Sequence, residues 1–242
     1  MDITRITKPA RKVLNVKLKR CGAVIVAAGS ASRMGGIDKV MAELNGEPMI
    51  ARTVRNFQEC DAVAEIVIVT RPDLIQPIRE LTASCPKVTA IVAGGKTRQE
   101  SVEMGLSALS DKCKLAAIQD GARPFASWQL IDRVIRAANT YGAAAPVIPV
   151  KDTIKAVQGY IVKNTPDRDT LRAVQTPQVF DYDLLRGALT KAAADGAQVT
   201  DDCSAVERLG MSIKTVEGDE RNIKITTPMD LKIAKLILEE WK

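Results

Sequence analysis

Apolar and polar positions along the chain follow two patterns in turn: short runs that are mostly apolar, and longer segments with apolar residues at helical spacing. Continuous apolar runs of this length are typical of strands buried on both faces. They span residues 23–27, 65–70, 88–92, 115–119 and 143–148. The helical segments span residues 49–60, 74–81 and 99–109, with a fourth beginning after its capping residue Ser127. This repeated order predicts an α/β fold with a doubly wound, mostly parallel, Rossmann-like sheet.

The alternation of strands and helices stops after Pro149. Two short β-like runs follow, at residues 153–157 and 160–162, on either side of the turn pair Gln158-Gly159. They predict a β-hairpin arm, at about residues 150–175, that projects from the sheet. Because an arm that cannot bury its own apolar side chains usually packs on a second subunit, we expect a homodimer formed through it.

The α/β pattern resumes after the arm. Thr200 or Asp201 can cap a short helix, and Thr227-Pro228 begins the last helix, because proline fits a first helical turn. The other predicted segments are a helix at residues 182–194 and extended stretches at 212–216 and 222–226.

A loop of small residues follows the first predicted strand and includes Gly29, Arg33 and Lys39. Small residues let backbone N–H groups approach a ligand, and two fixed cations in the same loop suit a triphosphate. The loop is not a Walker A loop, and Ala31 breaks the glycine spacing of a dinucleotide fingerprint. We therefore predict a nucleotide at the carboxyl end of the first strand. The alternative is a glycine-rich turn with ordinary surface cations.

The net charge of +6 lies in residues 1–20, which contain seven Lys or Arg and one Asp. Residues 21–242 are therefore neutral overall, and their length fits a single domain. A basic amino-terminal extension can bind nucleic acid, but more often it is a solvated tail or an added edge strand. The neutral body and the low aromatic content of 3% argue against nucleic acid as a partner.

The chain has no histidine, and its five cysteines include no CxxC pair. The lack of histidine excludes His-based triads, His metal ligands and acid–base catalysis by His. An odd number of widely spaced cysteines predicts reduced thiols and a cytoplasmic location. No run approaches about 18 apolar residues, so no membrane-spanning segment and no membrane partner are expected.

Seven motifs occur along the chain in a fixed order. They are AAGSASRMGGIDK, GGKTRQESV, QDGARPF, PVKDTIK, LRAVQTPQVF, TDDCS and NIKITTPMDL. Together they resemble the 2-C-methyl-D-erythritol 4-phosphate cytidylyltransferases of the non-mevalonate isoprenoid pathway, from about Cys21 to the carboxyl end. The resemblance implies one nucleotidyltransferase-type domain at residues 21–242. It also implies transfer of CMP from CTP to methylerythritol phosphate, with release of pyrophosphate.

The resemblance assigns the first loop to the CTP phosphates, with Arg33 and Lys39 as its cations. The nucleotide-binding residues that it implies are Ala27, Ala28, Gly29, Gly95, Arg98, Ser101 and Asp120. Fixed cations suit this reaction, because both reactants are anions and charge builds on the α-phosphate and the leaving group. Magnesium is expected as the cofactor, held mainly by the CTP phosphates rather than by a protein cage.

The second substrate is implied to bind beside the nucleotide. The residues implied for it are Asp120, Arg123, Thr153, Arg168, Thr200 and Lys224. Arg168 and Lys224 are implied to be catalytic cations together with Arg33 and Lys39. Thr153 and Arg168 are implied to reach the site of the partner subunit across the dimer.

From the residues alone, other interpretations of these positions stay open. Asp120 and Arg123 are spaced like a pair within a turn, and Arg168 lies in a charged stretch typical of a solvated turn. Thr200 can be only a helix cap, and Lys224 only an exposed lysine of a strand.

Two departures from the family pattern affect the expected site. Ser30-Ala31-Ser32 stands where relatives commonly have a second glycine, and Arg221 is expected to add positive charge near the phosphates. The nearest alternative activity is that of a ribitol 5-phosphate cytidylyltransferase of the same fold, which would share the CTP half of the site. A nicotinamide dehydrogenase is a weaker alternative, because the glycine pattern is imperfect.

Overall fold

A computed structural model describes residues 17–29 and 40–240 of the chain. Two groups of predictions lie outside these residues. One is most of the basic extension, at residues 1–16. The other is the loop at 30–39, with Arg33, Lys39 and the departure at Ser30-Ala31-Ser32. The roles implied for Arg33 and Lys39 therefore stay predictions.

Strands and helices alternate along most of the described chain. The strands are β1 (Cys21–Val26), β2 (Glu43–Leu44), β3 (Glu47–Pro48), β4 (Val63–Thr70), β5 (Val88–Ala93), β6 (Leu115–Asp120), β7 (Ala143–Pro149), β8 (Ala156–Gln158), β9 (Ile161–Asn164), β10 (Arg172–Val174), β11 (Gln178–Asp181) and β12 (Lys214–Glu217). The α-helices are α1 (Met49–Gln58), α2 (Ile75–Leu81), α3 (Arg98–Ala108), α4 (Trp128–Tyr141), α5 (Tyr182–Ala194), α6 (Asp202–Glu207) and α7 (Pro228–Glu240).

The main sheet has the strand order β10-β7-β11-β6-β1-β4-β5, and β12 pairs with β7. Strand β1 is parallel to β4 and β6, with Ala23 opposite Ile66 and Ala117. Strands β5 and β12 are also parallel to their neighbours, whereas β10 and β11 are antiparallel to theirs. The carboxyl ends of β1, β4, β5 and β6 therefore meet at one edge of the sheet.

Helices cover both faces of this sheet, because successive side chains of each strand point to opposite faces. Ile25 of β1 packs in a buried cluster with Val54 of α1 and Val134 of α4. Its neighbour Val24 packs in a second cluster that includes residues of α3, α5 and α6. This arrangement confirms the predicted doubly wound, mostly parallel α/β sheet, and it explains why the strands are apolar on consecutive positions.

Most predicted elements agree with the structure, but a predicted strand and the start of one helix differ. Residues 222–226 form no strand, because Asn222 and Ile225 make their backbone contacts with turns instead of a sheet edge. The helix predicted from residue 74 begins at Ile75, after a 3₁₀ turn at Pro72–Leu74. The prediction that Thr200 or Asp201 caps α6 is confirmed for Asp201, whose carboxylate accepts a hydrogen bond from the Ser204 N–H.

The predicted arm is a two-stranded ribbon of β8 and β9, separate from the main sheet. Every residue of these two strands is exposed.

Before β1, residues 17–20 lie in no strand, and Lys19 forms an ion pair with Asp181 at 3.0 Å. None of the helices within residues 17–29 and 40–240 is long and apolar enough to cross a membrane.

Candidate active site

A cavity of about 420 Å³ lies at the edge where the parallel strands end. Its position is the one expected for a ligand of a doubly wound sheet. Most lining residues come from four segments: the end of β1, the turn between β5 and α3 with the start of α3, the end of β6 with the turn after it, and the stretch before α7. They include Ala27, Ala28, Gly29, Gly95, Lys96, Thr97, Arg98, Ser101, Asp120, Gly121, Ala122 and Lys224.

The ends of β1, β4 and β5 are packed closely together beside the cavity. The Ala27 N–H donates to the Val69 carbonyl at 2.7 Å, and the Gly94 N–H donates to the Thr70 carbonyl at 2.8 Å. A Cβ atom at Gly94 would lie 2.3 Å from Cβ of Ala28, so only glycine fits there. The backbone at Ala28 and Gly29 is thereby placed at the cavity surface.

The turn between β5 and α3 is held by side chains of the helix that follows it. The Thr97 hydroxyl caps α3 by accepting from the Glu100 N–H. The Ser101 hydroxyl accepts from the Gly95 N–H at 3.1 Å and donates to the Thr97 carbonyl at 2.9 Å. Gly95 and Ser101 therefore line the cavity in one fixed geometry.

Arg98 extends from the first turn of α3 and is held by a carboxylate from another helix. Its two terminal nitrogens donate to the two carboxylate oxygens of Asp202 at 3.0 and 2.7 Å. The Asp202 side chain is 1% exposed. Burial raises the pKa of Asp202 above its usual value, and the ion pair raises the pKa of Arg98 despite partial burial. The guanidinium is thus fixed in position at the cavity wall.

Asp120, the last residue of β6, stands among three cations. Its carboxylate lies 2.9 Å from Nζ of Lys224, 3.4 Å from Nε of Arg123 and 3.9 Å from a terminal nitrogen of Arg98. Burial alone would raise the pKa of Asp120, but the charges of Lys224, Arg98 and Arg123 lower it below its usual value. The carboxylate is therefore ionised at neutral pH and gathers the three cations at one point.

The stretch before α7 is anchored by a buried amide. Asn222 is fully buried, and its Nδ2 donates to the Thr176 carbonyl at 2.9 Å. The backbone carbonyl of Asn222 accepts a hydrogen bond from Nη1 of Arg123 at 2.7 Å. The Ile225 N–H then donates to the Ala122 carbonyl at 2.9 Å. Lys224 lies between these two anchors, which explains how a residue in irregular structure reaches the cavity.

The structure brings together eight of the residues implied for the nucleotide or the second substrate. They line the cavity and are Ala27, Ala28, Gly29, Gly95, Arg98, Ser101, Asp120 and Lys224. Arg123 contacts Asp120 directly behind them. Three other implied residues, Thr153, Arg168 and Thr200, do not line this cavity and are exposed. Their roles stay predictions, as do the roles of the residues in the cavity.

The expectation that Arg221 adds positive charge near the phosphates stays a prediction. Its guanidinium forms an ion pair with Asp219 in its own loop, at 2.8 Å. It lines a second cavity, with Trp128 and Arg133, and does not line the one that contains Lys224. Neighbouring residues of an irregular segment point in different directions, so adjacency to Lys224 in sequence did not place Arg221 beside it.

Sequence reasoning missed the residues that hold the cavity side chains in place. Asp202 is the partner of Arg98, and the side chain of Gln178 accepts from the Asp202 N–H at 3.1 Å. Asn222 and Thr176 support the other side, where the Thr176 hydroxyl accepts from the Asp120 N–H at 3.1 Å. These four residues could have been found from the sequence, because all of them lie in the family motifs TDDCS, LRAVQTPQVF and NIKITTPMDL.

The fold and this cationic cavity at the strand ends are typical of the nucleotide-binding α/β enzymes. The model of one nucleotidyltransferase family, "IspD: 2-C-methyl-D-erythritol 4-phosphate cytidylyltransferase", matches residues 21–240. The chain belongs to this family, and it is therefore an enzyme of the nucleotidyltransferase class. Membership of the family excludes the nicotinamide dehydrogenase alternative.

Comparisons with individual proteins agree with this family. The chain is 46% identical over 220 residues to the 2-C-methyl-D-erythritol 4-phosphate cytidylyltransferase of Symbiobacterium thermophilum, covering 90% of this chain and 92% of that protein. The crystal structure of 4-diphosphocytidyl-2C-methyl-D-erythritol synthase from Anaerococcus prevotii is 33% identical, with a TM-score of 0.83, covering 93% and 98% of the two chains. The Thermus thermophilus enzyme is 34% identical, with a TM-score of 0.75, covering 89% and 98%.

Proposed function

We propose that this chain transfers CMP from CTP to 2-C-methyl-D-erythritol 4-phosphate. The products are 4-diphosphocytidyl-2-C-methyl-D-erythritol and pyrophosphate, and the reaction belongs to isoprenoid precursor biosynthesis. Within the structure, one observation carries this proposal: Asp120 gathers Lys224, Arg98 and Arg123 at the cavity edge. Family membership supplies the identity of the two substrates.

The chemistry needs positioning and charge stabilisation more than proton transfer. A phosphate oxygen of methylerythritol phosphate attacks the α-phosphorus of CTP and forms a new P–O bond. The bond from the α-phosphorus to the bridging oxygen breaks, and pyrophosphate leaves with that electron pair. The nucleophile is already an anion, so no general base is needed, which agrees with the lack of histidine. Cations are needed because both reactants are negative.

We infer a division of the cavity between the two substrates. The backbone at Ala27–Gly29 and the β5–α3 turn with Ser101 form the side that suits the nucleoside and its phosphates. Lys224 forms the side that suits the phosphate of the second substrate, and Arg123 adds positive charge behind it through its contact with Asp120. An α-phosphate between the two sides would lie near Lys224 on one side and near Arg98, in the first turn of α3, on the other.

We further propose magnesium as the cofactor. Within the described residues, no group of three or more His, Cys, Asp or Glu side chains is arranged to hold a metal. Magnesium usually binds through one or two carboxylates together with substrate phosphates, and Asp120 is a carboxylate of this cavity. When bound, the ion would neutralise charge on the CTP phosphates.

We also propose that the enzyme is a homodimer formed through the arm. The arm exposes apolar side chains that this subunit leaves uncovered, with Val157 61%, Ile161 67% and Val162 53% exposed. Arg168, beside the arm, donates to the Lys151 carbonyl at 3.2 Å and points to no cavity of its own subunit among those described. A partner that covers the arm would bring Arg168 toward a second active site.

We also propose a cytoplasmic location, because the five cysteines are free thiols.

The proposed reaction is tested by the release of pyrophosphate from purified protein with CTP and magnesium. We expect release with methylerythritol phosphate and much slower release with ribitol 5-phosphate. Release only with ribitol 5-phosphate would support the proposed CTP site but would identify ribitol 5-phosphate, not methylerythritol phosphate, as the second substrate. No release with either, from folded protein, would contradict the proposed function.

Mixed dimers test whether Arg168 acts on the partner's site. Homodimers of Arg168→Glu and of Lys224→Met are each expected to be nearly inactive. If Arg168 acts across the dimer, one site of the mixed dimer has an intact Lys224 and receives an intact Arg168. We therefore expect about half of the wild-type activity per mixed dimer, because one site of two is complete. Activity as low as in the homodimers would show that Arg168 acts within its own subunit, whereas an active Arg168→Glu homodimer would show that Arg168 has no role in the reaction.

A further inference from the structure

Strand β6 contains a buried amide next to its last residue. Gln119 is fully buried, and it directly precedes Asp120 in a strand whose residues are all buried. It lies opposite Ile25 of β1, so its side chain is on the sheet face that α1 and α4 cover, because side chains alternate along a strand. Gln119 therefore lies behind the cavity and does not line it.

The amide of Gln119 is bonded on one side only. Its Nε2 donates to the backbone carbonyl of Arg123 at 3.1 Å, whereas Oε1 has no hydrogen-bond partner among the described residues. The reverse orientation would place Oε1 against the carbonyl oxygen, where two acceptors repel, so the donor faces Arg123. A buried polar atom without a partner destabilises the fold. An apolar side chain of the same size avoids this penalty, so core stability does not explain the amide.

The carbonyl that Gln119 holds belongs to a cation beside the cavity. The guanidinium of Arg123 contacts the Asp120 carboxylate at 3.4 Å and the Asn222 carbonyl at 2.7 Å. The Arg123 N–H donates to the Asp120 carbonyl at 3.1 Å, so the Gln119 bond completes the fixing of both backbone groups of Arg123. A side chain keeps one orientation in a site only when the residues around it hold its backbone and rotamer.

We propose that Gln119 is a positioning residue for Arg123, and that through Arg123 it fixes the pair of Asp120 and Lys224 for the second substrate. This inference rests on the proposed function, because it assumes that the phosphate of methylerythritol phosphate binds beside Lys224. The unpaired Oε1 is then a loss of stability that the enzyme retains for its site, as functional sites commonly do.

Steady-state release of pyrophosphate by Gln119→Met tests the proposal. Methionine is similar in length and volume but lacks the N–H donor. We expect kcat/KM for methylerythritol phosphate to fall about tenfold, because small displacements of a reacting site have effects of this order. The Kd for CTP, measured by calorimetry, should stay unchanged, since Arg98 is held separately by Asp202 at 2.7 Å. Gln119→His should restore most of the activity, because its ring Nε2–H lies at a similar distance from Cβ.

Thermal unfolding separates positioning from a general loss of structure. Gln119→Met removes the unpaired Oε1 but leaves the Arg123 carbonyl without this donor, so one unpaired oxygen replaces another. We expect the melting temperature to change by less than about 2 °C. A large fall in melting temperature, with equal losses for CTP and methylerythritol phosphate, would overturn the proposal, because Gln119 would then have only a structural role.

A double variant tests whether Gln119 acts through Arg123. In an Arg123→Met background, adding Gln119→Met should lower kcat/KM for methylerythritol phosphate by no more than about twofold, since the residue that Gln119 positions is already lost. A further tenfold loss would show independent effects and would overturn the proposal.

The matched control is Gln58→Met, the same chemical change at another glutamine that bonds to the backbone. Its Oε1 accepts from the Lys87 N–H at 2.9 Å, just before β5 and so at the edge of the sheet opposite the cavity. Its kcat/KM should equal that of the wild type, while its melting temperature should fall because a satisfied hydrogen bond is lost. An active wild type with an equally active Gln119→Met would overturn this inference alone, whereas an inactive, folded wild type would contradict the proposed function and the inference with it.

Discussion

Replacing Lys224 with Met is expected to lower kcat/KM for CTP and methylerythritol phosphate by about 10²–10³-fold. Lys224 lines the cavity, and its Nζ lies 2.9 Å from Asp120, which also contacts Arg123 and Arg98. Methionine keeps most of the length and the apolar stem of lysine but removes the charge. The loss should appear mainly in kcat, because charge on the α-phosphate and on pyrophosphate grows as the transition state is approached.

The control for this variant is Lys19→Met. Lys19 pairs with Asp181 at 3.0 Å, and its side chain is 43% exposed against 41% for Lys224. The two lysines differ in place, since Lys19 lies before β1, at the edge of the sheet opposite the cavity. Steady-state rates of pyrophosphate release should be unchanged for Lys19→Met. Near-wild-type rates for Lys224→Met would show that Lys224 is not a catalytic cation.

Replacing Asp202 with Asn is expected to destabilise the protein and to weaken CTP binding together. Removing one partner of a buried ion pair commonly costs about 3–5 kcal/mol. Because the Arg98 side chain is 31% exposed, water compensates part of this loss, and we expect about 2–3 kcal/mol. For a chain of this length, that lowers the melting temperature by about 5–10 °C. The Kd for CTP should rise because Arg98 is no longer held in one orientation.

The neighbouring Asp201→Asn is the matched control, since it makes the same chemical change at the same helix end. Asp201 caps α6, and asparagine caps helices about as well as aspartate. We expect its melting temperature to fall by much less than that of Asp202→Asn and its CTP affinity to stay close to the wild type. Thermal unfolding and calorimetry measure both effects. Equal behaviour of the two variants would mean that the pair with Arg98 has no special role.

Much of the fold could be predicted from the sequence, because strand and helix periods depend on local burial. The runs at residues 65–70 and 115–119 are apolar at most consecutive positions, and they form β4 and β6, both covered by helices on two faces. Helix α5 was predicted with the bounds that the structure has. The predicted strand at 222–226 was wrong. The backbone N–H groups in this segment form hydrogen bonds with Ala122 and with nearby turns, which no local sequence pattern reveals.

The site was predicted in part, for a similar reason. Residues at strand ends, such as Gly29 and Asp120, could be placed at one edge because parallel strands end together. Lys224 came from the family resemblance alone, since nothing in its local sequence indicates that it reaches Asp120. Asp202 was missed as the partner of Arg98, because the two residues are 104 positions apart.

The sequence by itself determined the fold class, the family and the edge of the sheet that carries the cavity. The fold class follows from the apolar periodicity and the family from the order of the motifs. The edge of the sheet follows because parallel strands end together. Only the tertiary structure decided which charges meet: that Asp120 gathers three cations, that Asp202 holds Arg98, and that Arg221 pairs with Asp219. Electrostatic contacts depend on distances across the fold, and those distances are fixed only when the whole core packs.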